Sequence, residues 1–176
     1  MAVCDEGMSI PSYAYTSAVC EVEVDPETGL VEVIRYASVD DCGRAVNPLL
    51  VHGQSHGRIA QGIGQALWEQ CVYDSQSGPA PVRVADRLRA ATCRPAAGFD
   101  TEISDVPSTT NPLGMRGGSE GGITPGLGAV ANAVVDALAE FGVEHIELPA
   151  TPERVWNAIR AARRDGAEQR ESRRAL

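Results

Sequence analysis

Three dipeptides in this chain fix where its helices can begin. Asn47-Pro48, Thr124-Pro125 and Thr151-Pro152 each place a helix-capping residue directly before a proline. The cap side chain accepts a hydrogen bond from a free backbone N–H, and proline suits the first helical turn because its missing N–H would have no partner there. The sequence therefore predicts three helices that start at these positions.

Apolar residues spaced by four along the chain support each of these helices. The first is predicted to run for roughly twenty residues, the second to end near Glu140, and the third to be short. Their apolar faces are, in order, Ile59, Ile63 and Leu67; Val130, Val134 and Leu138; and Val155 and Ile159.

Alternating residues on both sides of a turn predict an antiparallel hairpin near the N-terminus. The stretches 12–23 and 30–41 flank "DPETG" at 25–29, which is a turn sequence that ends in glycine. "VEHIEL" (143–148) predicts a brief strand between the last two helices, and "PVRVAD" (81–86) is compatible with another. The fold class we expect is α+β, with the hairpin and the helices packed on a mixed sheet.

The two ends of the chain differ in character from its middle. We expect residues 1–11 to form an N-terminal extension, 12–163 to form the folded portion, and 164–176 to be a disordered tail, since the last stretch has no apolar face. The chain contains no apolar run long enough for a membrane span and no secretory signal at its start.

Charge and cysteine content exclude several classes of function. The net charge of −9 argues against a nucleic-acid partner, and all 15 basic residues are arginine, so a Schiff-base lysine is impossible. The five cysteines lack metal-finger spacing, and their odd number suits a disulfide framework poorly. We expect reduced thiols in a cytoplasmic protein. These residues are Cys4, Cys20, Cys42, Cys71 and Cys93.

Two glycine-rich segments carry the candidate chemistry. "NPLGMRGGSEGGITPG" (111–126) holds six glycines around Glu120, which is either a favourable charge at a helix start or a general base. In the predicted first helix, Gly57 and Gly62 allow close approach by another helix or by a ligand. Gln54, near the start of that helix, can donate to an anionic ligand.

Other candidate sites find less support in the sequence. His52 and His56 have the helical spacing of zinc ligands, but the glutamate of the metalloprotease pattern and a third ligand are missing, so we assign no metal ligand. His145 is interpreted as structural. Ser119 does not lie in a Gly-x-Ser-x-Gly elbow, and no dinucleotide-binding glycine pattern follows a strand.

Four segments taken together resemble a known family. They are "DCGRAVNPLLVHGQSHGRIAQGIGQALWE", "NPLGMRGGSEGG", "AVANAVVDAL" and "LPATPERVWNAI". In this order they are similar to the C-terminal part of the molybdenum-binding large subunit of the xanthine oxidase family, which includes aldehyde oxidases and aerobic carbon monoxide dehydrogenases. The resemblance covers about residues 12–162 and implies part of a molybdopterin-binding domain.

The resemblance implies roles for individual residues. "GMRGGSE" (114–120) is similar to the family pattern Gly-x-Lys-Gly-x-(Gly/Ala)-Glu, with Arg116 in place of the lysine, and implies that Glu120 is the catalytic base. It further implies that Gln54, with Gly53, contacts the cofactor. The backbone of Gly117, Gly118 and Ser119 would line the same pocket.

Cofactors and partners follow from the resemblance in the same way. It implies molybdenum-molybdopterin in the cytosine dinucleotide form, shared with a missing remainder of the subunit, and 2Fe-2S and FAD on partner subunits. The implied reaction is water-dependent oxidation of an aldehyde, an aza-heterocycle, a related small substrate or CO. Since the family's subunit is several times longer, we expect the chain to be inactive alone. The alternative is a non-catalytic remnant or an assembly module.

Overall fold

The computed structural model describes residues 12–70, 73–74, 78–79, 98–118 and 120–174. Its elements are, in chain order, strands β1 (Tyr15–Val24) and β2 (Val31–Asp41), helix α1 (Pro48–Leu67), short strands β3 (Tyr73–Asp74) and β4 (Gly78–Pro79), strand β5 (Gly98–Ile103), helix α2 (Ile123–Leu138), a 3-10 turn (Ala139–Phe141) and helix α3 (Pro152–Arg174). The possible strand at 81–86 lies outside the described residues.

The predicted hairpin is confirmed. Strands β1 and β2 are antiparallel, with Tyr15 opposite Asp41. The turn between them closes on the Asp25 carboxylate, which accepts hydrogen bonds from Glu27 N at 2.9 Å and Thr28 Oγ1 at 2.6 Å. Gly29 then adopts a φ of 73°, which favours glycine. The turn residues therefore set the register of the adjoining strand ends, which holds as far as Val22 opposite Val33 and then shifts by one residue at an irregularity between Glu21 and Val22.

The sheet is mixed, as expected. Strand β2 lies in the middle, antiparallel to β1 and parallel to β5. Helices α1 and α2 pack against one face, where β2 buries Tyr36, Ser38 and Asp40. On the other face, Val19 and Val39 are exposed. The α+β class is thus confirmed, with helices on one side of the sheet in the described part of the chain.

The apolar helix faces meet in one core, as the spacing predicted. All eight predicted face residues are buried and belong to the same cluster as Val31 and Tyr36 of β2. Gly62 of α1 lies against Gly126 of α2, since a Cβ at Gly62 would stand 2.9 Å from the Gly126 Cα. Gly62 therefore serves close helix packing.

The predicted start of the second helix is wrong. Helix α2 begins at Ile123 with Gly122 as its cap, and no side chain caps it. Helical bonds begin upstream of the dipeptide, because Thr124 N donates to Glu120 O at 3.2 Å. Pro125 still falls within the first turn, where its missing N–H costs little. Glu120 accordingly lies at the very entry of α2.

The predicted strand at 143–148 is also wrong. This segment has irregular backbone and packs on the helices, with Val143 and Ile146 buried and His145 exposed. Just after it, Ala150 N donates to Ala66 O at the end of α1, at 2.7 Å. The alternating apolar residues bury one side of this connection, as they would in a strand. The sequence pattern alone therefore could not distinguish an irregular segment from a strand.

The helices that start at Asn47-Pro48 and Thr151-Pro152 are confirmed. The Asn47 side chain accepts from Leu50 N, and Thr151 Oγ1 accepts from Arg154 N at 3.4 Å. Helix α3 is longer than predicted and carries helical backbone to Arg174, through a stretch rich in the strong helix formers Ala, Arg, Glu and Gln. None of the described helices is long and apolar enough to cross a membrane.

The cysteines that the structure describes are free thiols, as expected. Cys42 is buried, and burial raises its pKa. Cys20 is half-buried, and its burial and the neighbouring Glu21 raise its pKa to about 11. Both therefore act as small apolar side chains at neutral pH. Cys4, Cys71 and Cys93 lie outside the described residues.

Candidate functional site

The glycine-rich loop before α2 is held by side-chain and backbone bonds at its base. The Asn111 amide donates to Met115 O at 2.7 Å and accepts from Met115 N at 3.1 Å. Gly114 has a φ of 69°, and its carbonyl accepts from Arg44 N at 2.8 Å and from Ser108 N at 2.9 Å. The backbone of this loop is therefore fixed despite its glycine content.

The same loop is joined to both strands of the hairpin. Arg116 N donates to Cys42 O, just beyond β2, at 2.7 Å, and Gly117 N donates to Ser12 O, just before β1, at 3.1 Å. The N–H of Gly117 is therefore already hydrogen-bonded to Ser12 and is not available to a ligand. Gly117 is nevertheless exposed, so the rest of its backbone can line a pocket.

Arg116 attaches the loop to neighbouring parts of the chain. Its Nη1 lies 2.8 Å from both Asp41 Oδ1 and the Val106 carbonyl oxygen. Its guanidinium carbon also stands 5.3 Å from the centre of the Tyr15 ring. Since an arginine fork can serve several acceptors at once, Arg116 keeps the loop attached to the end of β2.

Glu120 stands exposed directly before two tightly packed glycines. A Cβ at Gly121 would lie 2.9 Å from Thr16 Oγ1. A Cβ at Gly122 would lie 2.7 Å from Arg58 Cβ. Both glycines are buried, whereas the Glu120 side chain is exposed. Only glycine allows this close approach, so the backbone directly after Glu120 is tightly packed while the Glu120 side chain remains exposed.

A buried carboxylate lies beneath these glycines. Asp40 is 4% exposed, and it accepts from Thr16 Oγ1 at 2.8 Å and from Ser55 Oγ at 2.5 Å. These bonds tie β2 to β1 and to α1. Sequence reasoning missed Asp40, although the alternation that buries Tyr36 and Ser38 also turns Asp40 towards the helices.

The face of α1 that carries Gln54 is open. Gln54 is exposed, and Cβ atoms added at Gly53 and Gly57 would meet nothing within 4 Å. Leu49 and Leu50, one turn earlier, are 80% and 64% exposed. Unlike Gly62, Gly53 and Gly57 do not pack closely against any described residue, so close packing does not explain why glycine stands at these positions.

Comparisons with known proteins agree on one family. The family described as "Molybdopterin cofactor-binding domain" matches residues 3–83. The large subunit of nicotine 6-hydroxylase from Paenarthrobacter nicotinovorans is 40% identical over 79% of this chain and 17% of that protein. The carbon monoxide dehydrogenase large chain of Hydrogenophaga pseudoflava is 32% identical over 85% of this chain and 19% of that protein.

Solved structures agree with the sequence comparisons. The Cu,Mo-CO dehydrogenase in its carbon monoxide reduced state aligns with a TM-score of 0.74 and 25% identity, over 85% of this chain and 19% of that one. Quinoline 2-oxidoreductase from Pseudomonas putida 86 aligns with a TM-score of 0.70 and 34% identity, over 79% and 18%. The chain belongs to the molybdenum-binding large subunits of the xanthine oxidase family. It spans about a fifth of the length of the relatives it matches.

In this large-subunit segment, a hydrogen bond joins the helix that carries Gln54 to the loop that carries Glu120. Arg58, one turn after Gln54 on α1, donates from Nη1 to the Gly118 carbonyl at 2.9 Å. Gly118 precedes Glu120 by two positions, so the helix of Gln54 and the loop of Glu120 are directly linked. Ser119 lies outside the described residues. Arg58 and Ser55 were not singled out from the sequence, because their contacts are with residues distant along the chain.

The histidine pair of α1 is engaged with the sheet. His52 Nδ1 lies 2.8 Å and His56 Nε2 lies 3.1 Å from the same Thr101 hydroxyl on β5. Within the described ranges, no group of three or more histidine, cysteine or acidic side chains is placed to hold a metal ion. In this segment of the large subunit, the pair thus links α1 to β5.

A groove of about 660 Å³ lies at the other end of α2. It is lined by residues from the last two turns of that helix and from the following connection, including Asp136 and His145. Glu120 stands at the start of α2, and a helix of this length extends for roughly 24 Å. The groove therefore contains none of the candidate residues of the molybdenum-binding family.

Proposed function

We propose that this chain supplies one wall of the active site of a molybdenum hydroxylase, with Glu120 as the general base. The observation that carries the proposal is that Glu120 has an exposed side chain on a fixed backbone: Gly121 and Gly122, which follow it, are packed against β1 and α1. General-base catalysis needs this combination, since the base has to reach the substrate from a defined position.

The open face of α1 fits the cofactor that the family binds. Each mid-helix glycine costs about 1 kcal/mol relative to alanine, and Gly53 and Gly57 gain no packing inside the described chain in return. They let a bulky molybdopterin come close to the helix backbone, with the Gln54 amide as a hydrogen-bond donor beside it. Gly117, Gly118 and Ser119 would line the pocket from the loop side.

The chemistry of this chain's own residues is proton transfer and positioning. Gln54 would orient the cofactor, and Glu120 would accept a proton as water is activated. When bound, the molybdenum-molybdopterin would supply the redox chemistry. Burial of the exposed Glu120 carboxylate by the rest of the subunit would exclude water and tune its basicity.

The substrate and partners are proposed from the same relationship. Relatives are named for nicotine, quinoline and carbon monoxide, so we propose a small aza-heterocycle, an aldehyde or CO as the substrate. The other walls would come from the remainder of the large subunit. Subunits with 2Fe-2S and FAD would take up the electrons, the cofactor would be the cytosine dinucleotide form, and the complex would be cytoplasmic.

Cofactor loading tests the proposal. The chain is co-expressed with the remainder of a large subunit and its iron–sulfur and FAD subunits, and molybdenum and pterin are measured in the purified complex. We expect about one molybdenum per complex, and a loss of most of it in Gln54→Ala because a direct ligand of the cofactor is removed. Gln70→Ala removes an exposed glutamine beyond the end of α1 and should retain the metal.

The same measurement distinguishes the proposed function from the alternative, a non-catalytic assembly module. A complex that assembles without molybdenum would contradict the proposal and favour a non-catalytic assembly module. Equal molybdenum content in Gln54→Ala and the unsubstituted complex would remove Gln54 from the site.

A further inference from the structure

Arg58 holds the loop of Glu120 on the side that precedes the glutamate. Its Nη1 donates to the Gly118 carbonyl at 2.9 Å, across 60 positions of sequence. The side chain is half-buried between α1 and the loop. A hydrogen bond from a charged donor is stronger than one between neutral groups, so this contact is a substantial restraint on a glycine-rich backbone.

The same turn of α1 supports the loop on the side that follows Glu120. A Cβ at Gly122 would lie 2.7 Å from Arg58 Cβ and 2.9 Å from Ser55 O. The stem of Arg58 therefore packs against Gly122, while its guanidinium binds Gly118. One residue thus contacts the loop two positions before and two positions after Glu120.

This turn of the helix is itself anchored to the sheet. Ser55 Oγ donates to Asp40 Oδ2, and the other oxygen of Asp40 accepts from Thr16 Oγ1. Gln54 stands next to Ser55 and one turn before Arg58. A shift of the loop relative to this turn would therefore change the position of Glu120 relative to Gln54.

We propose that Arg58 is a positioning residue, which sets the place of Glu120 relative to Gln54 by binding the Gly118 carbonyl to α1. The inference rests on the proposed function, because it assigns the two positioned groups the roles given there. Since reaction rates depend steeply on the placement of reacting groups, a misplacement of about 1 Å can cost about 100-fold in rate.

Amide hydrogen exchange on the full chain tests the restraint without cofactor or partners. Arg58→Met keeps an unbranched stem against Gly122 but cannot donate to Gly118. We expect exchange of the amides at 117–122 to rise at least tenfold, with less than a twofold change in the hairpin. Arg35→Met is the matched control, because Arg35 pairs with Asp100 on the exposed part of the sheet at 2.6 Å; it should leave 117–122 unchanged.

Unchanged exchange at 117–122 in Arg58→Met would overturn the proposal. If the methionine variant does not fold, Arg58→Leu is measured in the same way. Leucine cannot donate to Gly118 either, so we expect a similar rise, and an exchange rate equal to that of the unsubstituted chain would overturn the proposal as well.

Kinetics of the assembled, molybdenum-loaded complex test the functional part. We expect Arg58→Met to lower kcat about 10- to 100-fold with KM within twofold and molybdenum content unchanged, and Arg58→Lys to restore part of the loss. An unchanged kcat, or a change in KM alone, would contradict positioning. Full turnover in Glu120→Gln would instead refute the proposed function, and the exchange result still decides whether Arg58 restrains the loop.

Discussion

Two glycines of α1, Gly62 and Gly57, lie in different surroundings. Gly62 lies against the backbone of Gly126, so a side chain there has no room. Gly57 lies in the same helix with open space around its Cβ position. The two positions look alike in the sequence. A glycine inside a helical pattern indicates that something packs closely there, but it does not distinguish another helix from a ligand.

Alanine at these two positions should therefore act in opposite directions. Gly62→Ala would force α1 and α2 apart and lower the free energy of unfolding by about 1–3 kcal/mol. Gly57→Ala should raise it by about 0.5–1 kcal/mol, since alanine is the better helix former and nothing obstructs its methyl group. Urea unfolding of both variants measures this, and a stabilising Gly62→Ala would contradict the observed helix contact.

Weakly acidic side chains with raised pKa values, namely Tyr36, Cys20 and Cys42, should make the fold sensitive to alkali. Burial raises the pKa of Tyr36 from 10.0 to about 12, with Cys20 and Asp40 contributing. Burial and Glu21 raise the pKa of Cys20 from 9.0 to about 11. The folded chain keeps these protons at pH values where the unfolded chain has lost them. Their contribution to stability is thus complete below about pH 9 and is lost as pH rises towards 12.

Because the chain has no lysine to titrate in that range, the side chains that titrate there are chiefly its tyrosines and cysteines. We expect the urea midpoint to fall between pH 8.5 and pH 11, and Tyr36→Phe to reduce the fall. Tyr36 suits this test because its hydroxyl is buried without a hydrogen-bond partner among the described residues. Tyr13→Phe, at a site 72% exposed, is the control. Equal midpoints at both pH values in the unsubstituted chain would refute the assignment.

At the scale of elements, the sequence predicted those helices and strands whose ends are set by residues close to them in the chain. The hairpin and the starts of α1 and α3 follow from turn and cap residues that act within a few positions. The start of α2 could not be placed in this way, because backbone contacts of Gly121 and Gly122 with other elements set it. The connection at 143–148 has the alternation of a strand, but it is packed on helices.

Cap residues provide a direct test of this distinction. Asn47→Ala removes a side chain that accepts from Leu50 N at 3.3 Å, so we expect a loss of about 1 kcal/mol in the free energy of unfolding. Thr124→Ala should cost less than about 0.5 kcal/mol, because Thr124 is exposed and does not cap α2. A larger loss for Thr124→Ala than for Asn47→Ala would contradict the assigned helix starts.

At the scale of the whole molecule, contacts between residues far apart in the sequence connect the elements that carry the candidate residues. The Asp40–Ser55 bond and the Arg58–Gly118 bond join residues 15 and 60 positions apart, and no local pattern in the sequence predicts such pairs. The collinear motifs did predict the family and named Glu120 and Gln54. What they could not supply is the arrangement that links these two residues.

Three apolar side chains on two surfaces of the chain are exposed. Leu49 and Leu50 beside the Gln54 face, and Val19 on the free face of the sheet, are 64–80% exposed. The relatives are about five times longer than this chain. We expect the remainder of the large subunit to cover these side chains.

The most direct test of the central claim is turnover of the molybdenum-loaded complex with Glu120→Gln. Glutamine keeps the shape of the side chain but cannot accept the proton, so we predict a loss of at least 100-fold in kcat with molybdenum content unchanged. Glu144→Gln, at an exposed glutamate beyond α2, should keep full activity. Turnover of Glu120→Gln within twofold of the unsubstituted complex would contradict the claim that Glu120 is the catalytic base.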